Sequence, residues 1–310
     1  MQRICLIGGG GFIGTAIANR LVQRGCAVTI PARHREHAKQ QLIPLPNADV
    51  VECNVNDPAQ LEKLLQGHDA VVSLVGILHG SEAKFRAAHV ELPEKIIAAC
   101  KKLGIRRLVH ISALGADARG SSRYLRSKGE GEDRIKTSGL DWTIFRPSVV
   151  FGRGDAFLNM FAKLTALPVL PLAGADSRYQ PVWVEDVAQA VDQALQRPEW
   201  TGKSFNLVGP KEYSLRQLVA YVASLQKHQP MIVSLPEGIA RLQASIMQVL
   251  PRPLMSVDNI DSMKTPSVDP AGFPAELGFR PTSVDSVAPE YVGLTGVRGR
   301  LLEFRTKAHR

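Results

Sequence analysis

Gly8, Gly9, Gly10 and Gly11 stand in a row, and Gly14 follows three residues later. Read as Gly8, Gly11 and Gly14 the spacing is G-x-x-G-x-x-G; read from Gly9 it is G-x-G-x-x-G. Glycines at such spacing between a strand and a helix do one kind of chemistry well. The first permits a tight turn. The middle one lets backbone approach a phosphate, and the last lets the helix lie close to the strand. Phe12 and Ile13 then offer the first N–H groups of the helix, where a pyrophosphate is favoured.

Two further sets of residues extend that chemistry. Where the second strand ends, an acidic residue would bind a ribose 2′-hydroxyl. This chain instead has Arg33 within Pro31-Ala32-Arg33-His34-Arg35, with His37 and Lys39 after it. A guanidinium suits a phosphate dianion by charge and by its two-pronged geometry. The expected cofactor is therefore NADP(H) rather than NAD. Tyr124 and Lys128 form Y-x-x-x-K, which on a helix places both on one face. A phenol with a pKa of ~10 is a poor acid or base at neutral pH. A neighbouring ammonium, with a nicotinamide cation, favours the phenolate. Tyr124 is then positioned to exchange a proton while hydride moves, and Lys128 to bind ribose hydroxyls as well.

The elements that must position these residues alternate. Ile4 to Ile7 reads as a strand, and Ile13, Ile17 and Leu21 as one face of a helix closed by Gly25. Strands follow at 27–30, 50–53, 70–76, 105–112 and 142–147. Between them come helices at 58–66, 82–103 and 124–137, the first capped by Asp57 with Pro58 at its first position. Pro93 interrupts the second and leaves the His89 carbonyl without its helical donor, so a kink is expected there. Asn54 and Val55, in the turn after the third strand, are candidates for the adenine side. Val75 and Gly76, ending the fourth, are where the chain would pass close to a cofactor. The expectation is an α/β, Rossmann-type, doubly wound parallel sheet over residues 1–150, which residues 176–208 rejoin. Residues 151–175 and 209–310 would form a smaller region for substrate or partner. Leu167 to Leu172 reads as irregular loop, and Ile239 to Leu250 as an amphipathic helix.

Four stretches carry a resemblance that spans residues 4 to about 190. They are Leu6 to Gly14, Ser121 to Lys128, Arg146 to Arg153 with Phe157-Leu158-Asn159, and Gln180 to Ala188. In combination they resemble the extended, atypical short-chain dehydrogenases/reductases of the epimerase/dehydratase type. More closely they resemble the NADPH-binding accessory subunits of respiratory complex I and their bacterial relatives. The resemblance implies NADP(H) held through Gly8, Gly11, Gly14 and Arg33, with Tyr124, Lys128 and the Pro147-Ser148 turn near the nicotinamide. It implies a catalytic serine, for which Ser112 is the candidate, although the usual position lies a residue or two later, at Ala113 or Leu114. Where active members carry an asparagine, this chain has His89. Two functions follow from it: an NADP(H)-dependent oxidoreductase or epimerase-type enzyme, or a nucleotide-holding subunit of a membrane-bound respiratory or quinone-handling complex. In the second, the basic tail and the Ile239 to Leu250 segment would be the contact surfaces.

Composition bounds these readings. With 310 residues, 45% hydrophobic and 22% charged, the chain has ordinary globular make-up. Cys5, Cys26, Cys53 and Cys100 have no metal-ligand spacing and read as reduced core thiols, so no metal site and a cytoplasmic-type compartment are expected. No apolar run reaches transmembrane length, and the first strand begins by Ile4, which leaves no room for a leader. The net charge is +9. Part of it sits in Arg298, Arg300, Arg305, Lys307 and Arg310, set against Glu303, which reads either as a solvated terminus or as a peripheral contact for an anionic membrane surface or acidic partner. No nucleic-acid motif accompanies it.

Overall fold

The computed structural model of the protein describes residues 1–33, 46–248 and 255–293. The basic residues His34, Arg35, His37 and Lys39, the Leu250 end of the amphipathic segment, and the tail from Arg298 to Arg310 lie outside the described residues.

The chain divides into two compact units. The first is Met1–Pro147 with Glu185–Leu207. Its elements begin with β1 (Arg3–Ile7), α1 (Phe12–Gln23), β2 (Ala27–Ala32), β3 (Ala48–Glu52), α2 (Pro58–Leu65) and β4 (Ala70–Ser73). There follow α3 (Glu82–Arg86), a π-helical turn (Ala87–Glu91), α4 (Leu92–Leu103), β5 (Arg107–Ile111), α5 (Arg123–Lys136) and β6 (Asp141–Pro147). Seven parallel strands form one sheet in the order β11-β6-β5-β4-β1-β2-β3, where β11 is Lys203–Leu207. The order reverses between β1 and β4, the switch point outside whose carboxyl ends ligands bind in doubly wound sheets. Ile4, Leu6, Val71 and Val72 are fully buried, as strands covered on both faces must be. All four cysteines are buried and unpaired, as the reading of reduced core thiols expected.

The helix expected from Glu82 to Leu103 is three segments. Leu92 donates its N–H to the Ala87 carbonyl, five residues back. Pro93 cannot supply the next α-type donor, and a π-turn absorbs the extra residue before α4 begins. A Cβ placed on Gly131 would lie 2.0 Å from the His89 oxygen, so that carbonyl faces a bare α-carbon of α5.

The second unit is Ser148–Val184 with Val208–Arg310. In chain order it holds β7 (Val150–Phe151), α6 (Phe157–Leu164), β8 (Val169–Leu172), β9 (Arg178–Tyr179) and β10 (Val182–Trp183), which leads into α7 (Val184–Ala194). After β11 come β12 (Tyr213–Ser214), α8 (Leu215–Leu225), β13 (Met231–Ser234), α9 (Glu237–Met247), α10 (Val257–Met263) and α11 (Val284–Tyr291). Its main core joins Leu158, Phe161, Leu170, Leu218, Val222 and Ala288. The stretch expected as irregular, Leu167 to Leu172, contains β8, which pairs in parallel with β13 from Val169↔Met231 to Leu172↔Ser234. Leu170 and Leu172 face inward, and that alternation, with a ladder to distant residues, overrides the proline-rich local signal.

Candidate functional site

β1 ends at Ile7 and the chain turns at Gly8, whose φ is +95°, a conformation that favours glycine. The turn is closed by Gly9 N–H to Leu6 O at 3.0 Å and Gly11 N–H to Gly8 O at 3.2 Å. It leaves no room for side chains. A Cβ on Gly8 would stand 3.1 Å from the Val75 nitrogen, and one on Gly14 would stand 2.5 Å from the Gly9 α-carbon. Gly8 thus lies against Val75 at the switch point, and α1 starts close to β1. Gly11 is the N-cap of α1, with no side-chain cap and no acidic residue in the first turn. The first N–H groups of the helix, at Phe12, Ile13 and Gly14, have no partner inside it. A small-residue cradle opening on an uncapped helix N-terminus fits a pyrophosphate by shape and by charge.

The other expected contacts lie at the carboxyl ends of the same parallel strands. Arg33 follows β2 and is exposed. Asn54 and Val55 follow β3. The Asn54 side chain is engaged in its own turn, accepting from Asn56 N–H at 3.1 Å, while its N–H donates to Gln60 Oε1. Asp57 caps α2, accepting from Ala59 and Gln60, and these bonds hold its carboxyl below the usual range. Val75 and Gly76 follow β4. Pro147 closes β6, and its carbonyl accepts from Leu114 N–H. Ser148 belongs to the second unit, where its hydroxyl bonds to the carbonyl and hydroxyl of Ser267 at 2.7 and 2.9 Å.

Tyr124, Lys128 and Glu132 form one stripe of α5, which Ser122 caps through Leu125 N–H. Lys128 is 3% exposed and donates to the Ile111 carbonyl at 2.8 Å. Burial pulls its ammonium down to about 8, with the charge of Glu132 acting against that. Burial pushes the Tyr124 phenol up to about 12, opposite to the lowering expected from a nearby ammonium. Its ring meets those of His89 and Phe85 edge-on, with centroids at 5.6 and 6.3 Å. Ser112 does follow β5, but its hydroxyl is buried. It leans toward Glu132 closely enough to favour that carboxylate, yet makes no hydrogen bond of acceptable geometry. Burial pushes Glu132 up, and the guanidinium of Arg146, with bonds of 2.8 and 2.5 Å, together with Ser112 and Lys136 brings it below the usual carboxylate range.

His89, at the asparagine position of the resemblance, has both ring nitrogens engaged. Nε2 accepts from Ile77 N–H at 3.0 Å, and Nδ1 lies 2.8 Å from the Ser127 hydroxyl. That hydroxyl donates onward to the Tyr124 carbonyl at 2.9 Å, so the proton of the imidazole sits on Nδ1. Burial, and then the charge of Lys128, holds His89 neutral, down to about 3. The histidine therefore ties the segment after β4 to the helix that carries Tyr124. Sequence reading missed this link because Ile77, His89 and Ser127 share no spacing.

Comparison with known proteins bears on this geometry. A family model described as NAD(P)H-binding matches residues 8–198. The chain is 30% identical over 289 residues to mitochondrial NADH dehydrogenase (ubiquinone) 1 alpha subcomplex subunit 9 of Mus musculus, covering 90% of this chain and 77% of that protein. It is 27% identical over 293 residues to the 40 kDa subunit of mitochondrial NADH-ubiquinone oxidoreductase from Neurospora crassa, covering 93% and 78%. Among solved structures, an Escherichia coli NADPH-dependent quinone oxidoreductase in complex with NADPH has a TM-score of 0.75 at 19% identity, covering 92% of this chain and 98% of that one. A nucleoside-diphosphate-sugar epimerase from Staphylococcus aureus has a TM-score of 0.75 at 18% identity, covering 92% and 99%. At such identities the likeness to both structures is one of fold.

Proposed function

The chain belongs to the NAD(P)H-binding family, in the branch that contains the mitochondrial subunit 9 proteins, and from that premise we propose that it holds NADP(H) in preference to NAD(H). The observation that carries this is the uncapped start of α1 behind the glycine cradle, with Arg33 rather than a carboxylate after β2. In this reading Gly8, Gly11 and Gly14 admit the pyrophosphate, Phe12 and Ile13 donate to it, and Arg33 pairs with the 2′-phosphate. Asn54 and Val55 flank the adenine, while Val75, Gly76, Pro147, Ser148, Tyr124 and Lys128 lie on the nicotinamide side. Equilibrium titration tests it: NADPH binds at least about tenfold tighter than NADH, and Arg33→Ala removes the difference, since a charge-assisted pair is worth roughly 1.5–3 kcal/mol. Equal affinities, or a preference for NADH, refute it.

The nucleotide is kept rather than consumed in this reading, as in an accessory subunit of a respiratory or quinone-handling complex. Supporting it are the raised phenol of Tyr124, the engagement of Lys128 with Ile111, the turned-in Ser112 and the locked His89. A bound nicotinamide would supply hydride chemistry, and a second reading, a reductase with Tyr124 as acid/base, rests on the Tyr124–Lys128 stripe. Incubation of the NADPH-loaded protein with a short-chain quinone and with simple carbonyls separates the two. Retained NADPH favours the subunit. Turnover that Tyr124→Phe abolishes while leaving NADPH affinity intact favours the reductase.

A further inference from the structure

The segment that follows β4 runs from the glycine cradle to a different helix. Leu74 N–H donates to the Ile7 carbonyl at 2.8 Å, which carries the β1–β4 ladder one residue past its end. Val75 then lies against Gly8, where a Cβ would stand 3.1 Å from the Val75 nitrogen. Gly76 passes over the His89 ring, a Cβ there standing 3.8 Å from Nε2, and Ile77 N–H donates to that nitrogen at 3.0 Å. His89 is 1% exposed and rides on the π-helical turn, a form frequent at functional sites. The bonds through it run in one direction. The Ile77 amide can only donate, and the Tyr124 carbonyl can only accept. Between them the imidazole accepts on Nε2 and donates from Nδ1, and the Ser127 hydroxyl passes the same sense on to Tyr124. Neither a flipped ring nor the other tautomer satisfies both ends. An asparagine side chain is too short to span from Ser127 to Ile77.

We propose that His89 is a positioning residue for the dinucleotide: through Ile77 it holds Val75 and Gly76 beside the glycine cradle, so that a bound dinucleotide leaves slowly. The inference rests on the nucleotide reading, from which it takes Val75 and Gly76 as lining the bound cofactor. A segment already held in place loses little further freedom when a ligand binds. A loose one must be ordered at every binding event, and it opens while the ligand is bound. Cutting the tie leaves the glycines, the start of α1 and Arg33 untouched. The choice between NADPH and NADH therefore stays as it was, while release quickens.

Stopped-flow fluorescence tests it: the full chain is loaded with NADPH, or with NADH, and chased with excess oxidised nucleotide. His89→Asn and Ser127→Ala each speed release by about threefold to tenfold, the size of one lost hydrogen bond. Both variants also raise amide hydrogen exchange at Ile77, measured without nucleotide. Ile135→Val, a core truncation on α5, is the control for general loosening and keeps the wild-type release rate. Should His89→Asn fail to fold, Ser127→Ala carries the test alone. Unchanged release in a folded variant overturns the inference, whether or not Ile77 exchanges faster. Faster release with unchanged exchange at Ile77 overturns it too, as does release that Ile135→Val speeds equally. A wild-type protein that binds neither nucleotide refutes the nucleotide reading and this inference with it. One that binds NADH more tightly refutes only the preference for NADPH, and the release rates of NADH then decide the role of His89.

Discussion

His89 shows how much one side chain decides at this site. Folded, it is neutral; its ordinary value is 6.5, and burial holds it near 3. As pH falls through about 6.5, the unfolded chain takes up a proton that the folded chain refuses, so stability is lost from there downward. His110 shifts in the same direction for the same first cause, burial, and adds to the slope. His89→Asn removes one such group. Urea melts at about pH 7 and about pH 5 then differ less in the variant than in the wild type, by up to about 1.4 kcal/mol per pH unit. Identical slopes refute the role. At this scale the sequence was legible wherever spacing alone made the meaning. The glycines, the Tyr124–Lys128 face and the Asp57 cap all declare themselves within a few residues. The Ile77–His89–Ser127 link, the Glu132–Arg146 pair and the inward turn of Ser112 do not, because their partners are assembled by the sheet.

Elements were legible in kind where their periodicity was local. The parallel sheet, the helix after the glycine turn and the break near Pro93 follow from residue patterns. The form of that break, a π-turn facing Gly131, depends on how closely α5 approaches. Gly131→Ala puts a methyl group against a backbone oxygen that no rotamer can move. A loss of about 1–3 kcal/mol or more is expected in urea denaturation. Gly238→Ala is the matching control on α9: a Cβ there meets nothing within 4 Å. Removing a helical glycine then raises stability by roughly 0.5–1 kcal/mol. A stabilised Gly131→Ala variant would show that α5 does not press on the His89 carbonyl. β8 escaped sequence reading because its strand character comes from pairing with β13, and prolines dominate its local pattern. The segment from Ile239 was legible as an amphipathic helix, and α9 is one, but which of its faces packs was not. Amphipathic periodicity locates an apolar face, but it does not say that alanines will be the face that packs.

For the whole molecule, the chain's course matters more than the boundaries of its units. β11 pairs with β6 from Lys203↔Thr143 to Leu207↔Pro147, and Phe145 stacks on Phe205. Thr143 Oγ1 donates to the Trp200 carbonyl at 2.8 Å, and Arg107 donates to the Ala194 carbonyl at 2.6 Å. The first unit is therefore incomplete without residues 185–207. A chain cut after residue 150 exposes the β6 edge and the Phe145 face, and is expected to aggregate. Replacing residues 148–184 with a flexible Gly/Ser linker and ending the chain after Leu207, so that 185–207 remain attached and no half of the second unit's core is left exposed, is expected to give a soluble protein that binds NADPH; light scattering and nucleotide titration check both outcomes.

That course also sets a clock on synthesis. β6 leaves the ribosome well before β11, and at about 5–20 residues per second the interval is about 3–12 seconds. Throughout it, Trp142-Thr143-Ile144-Phe145 presents an unpaired, apolar strand edge inside an otherwise assembled sheet. The hazard is one of timing, not of final stability, and it ends only when a segment belonging to the other unit has already been made. A pause in translation between residues 147 and 207 would lengthen that exposure, while a chaperone that shields the edge would shorten it.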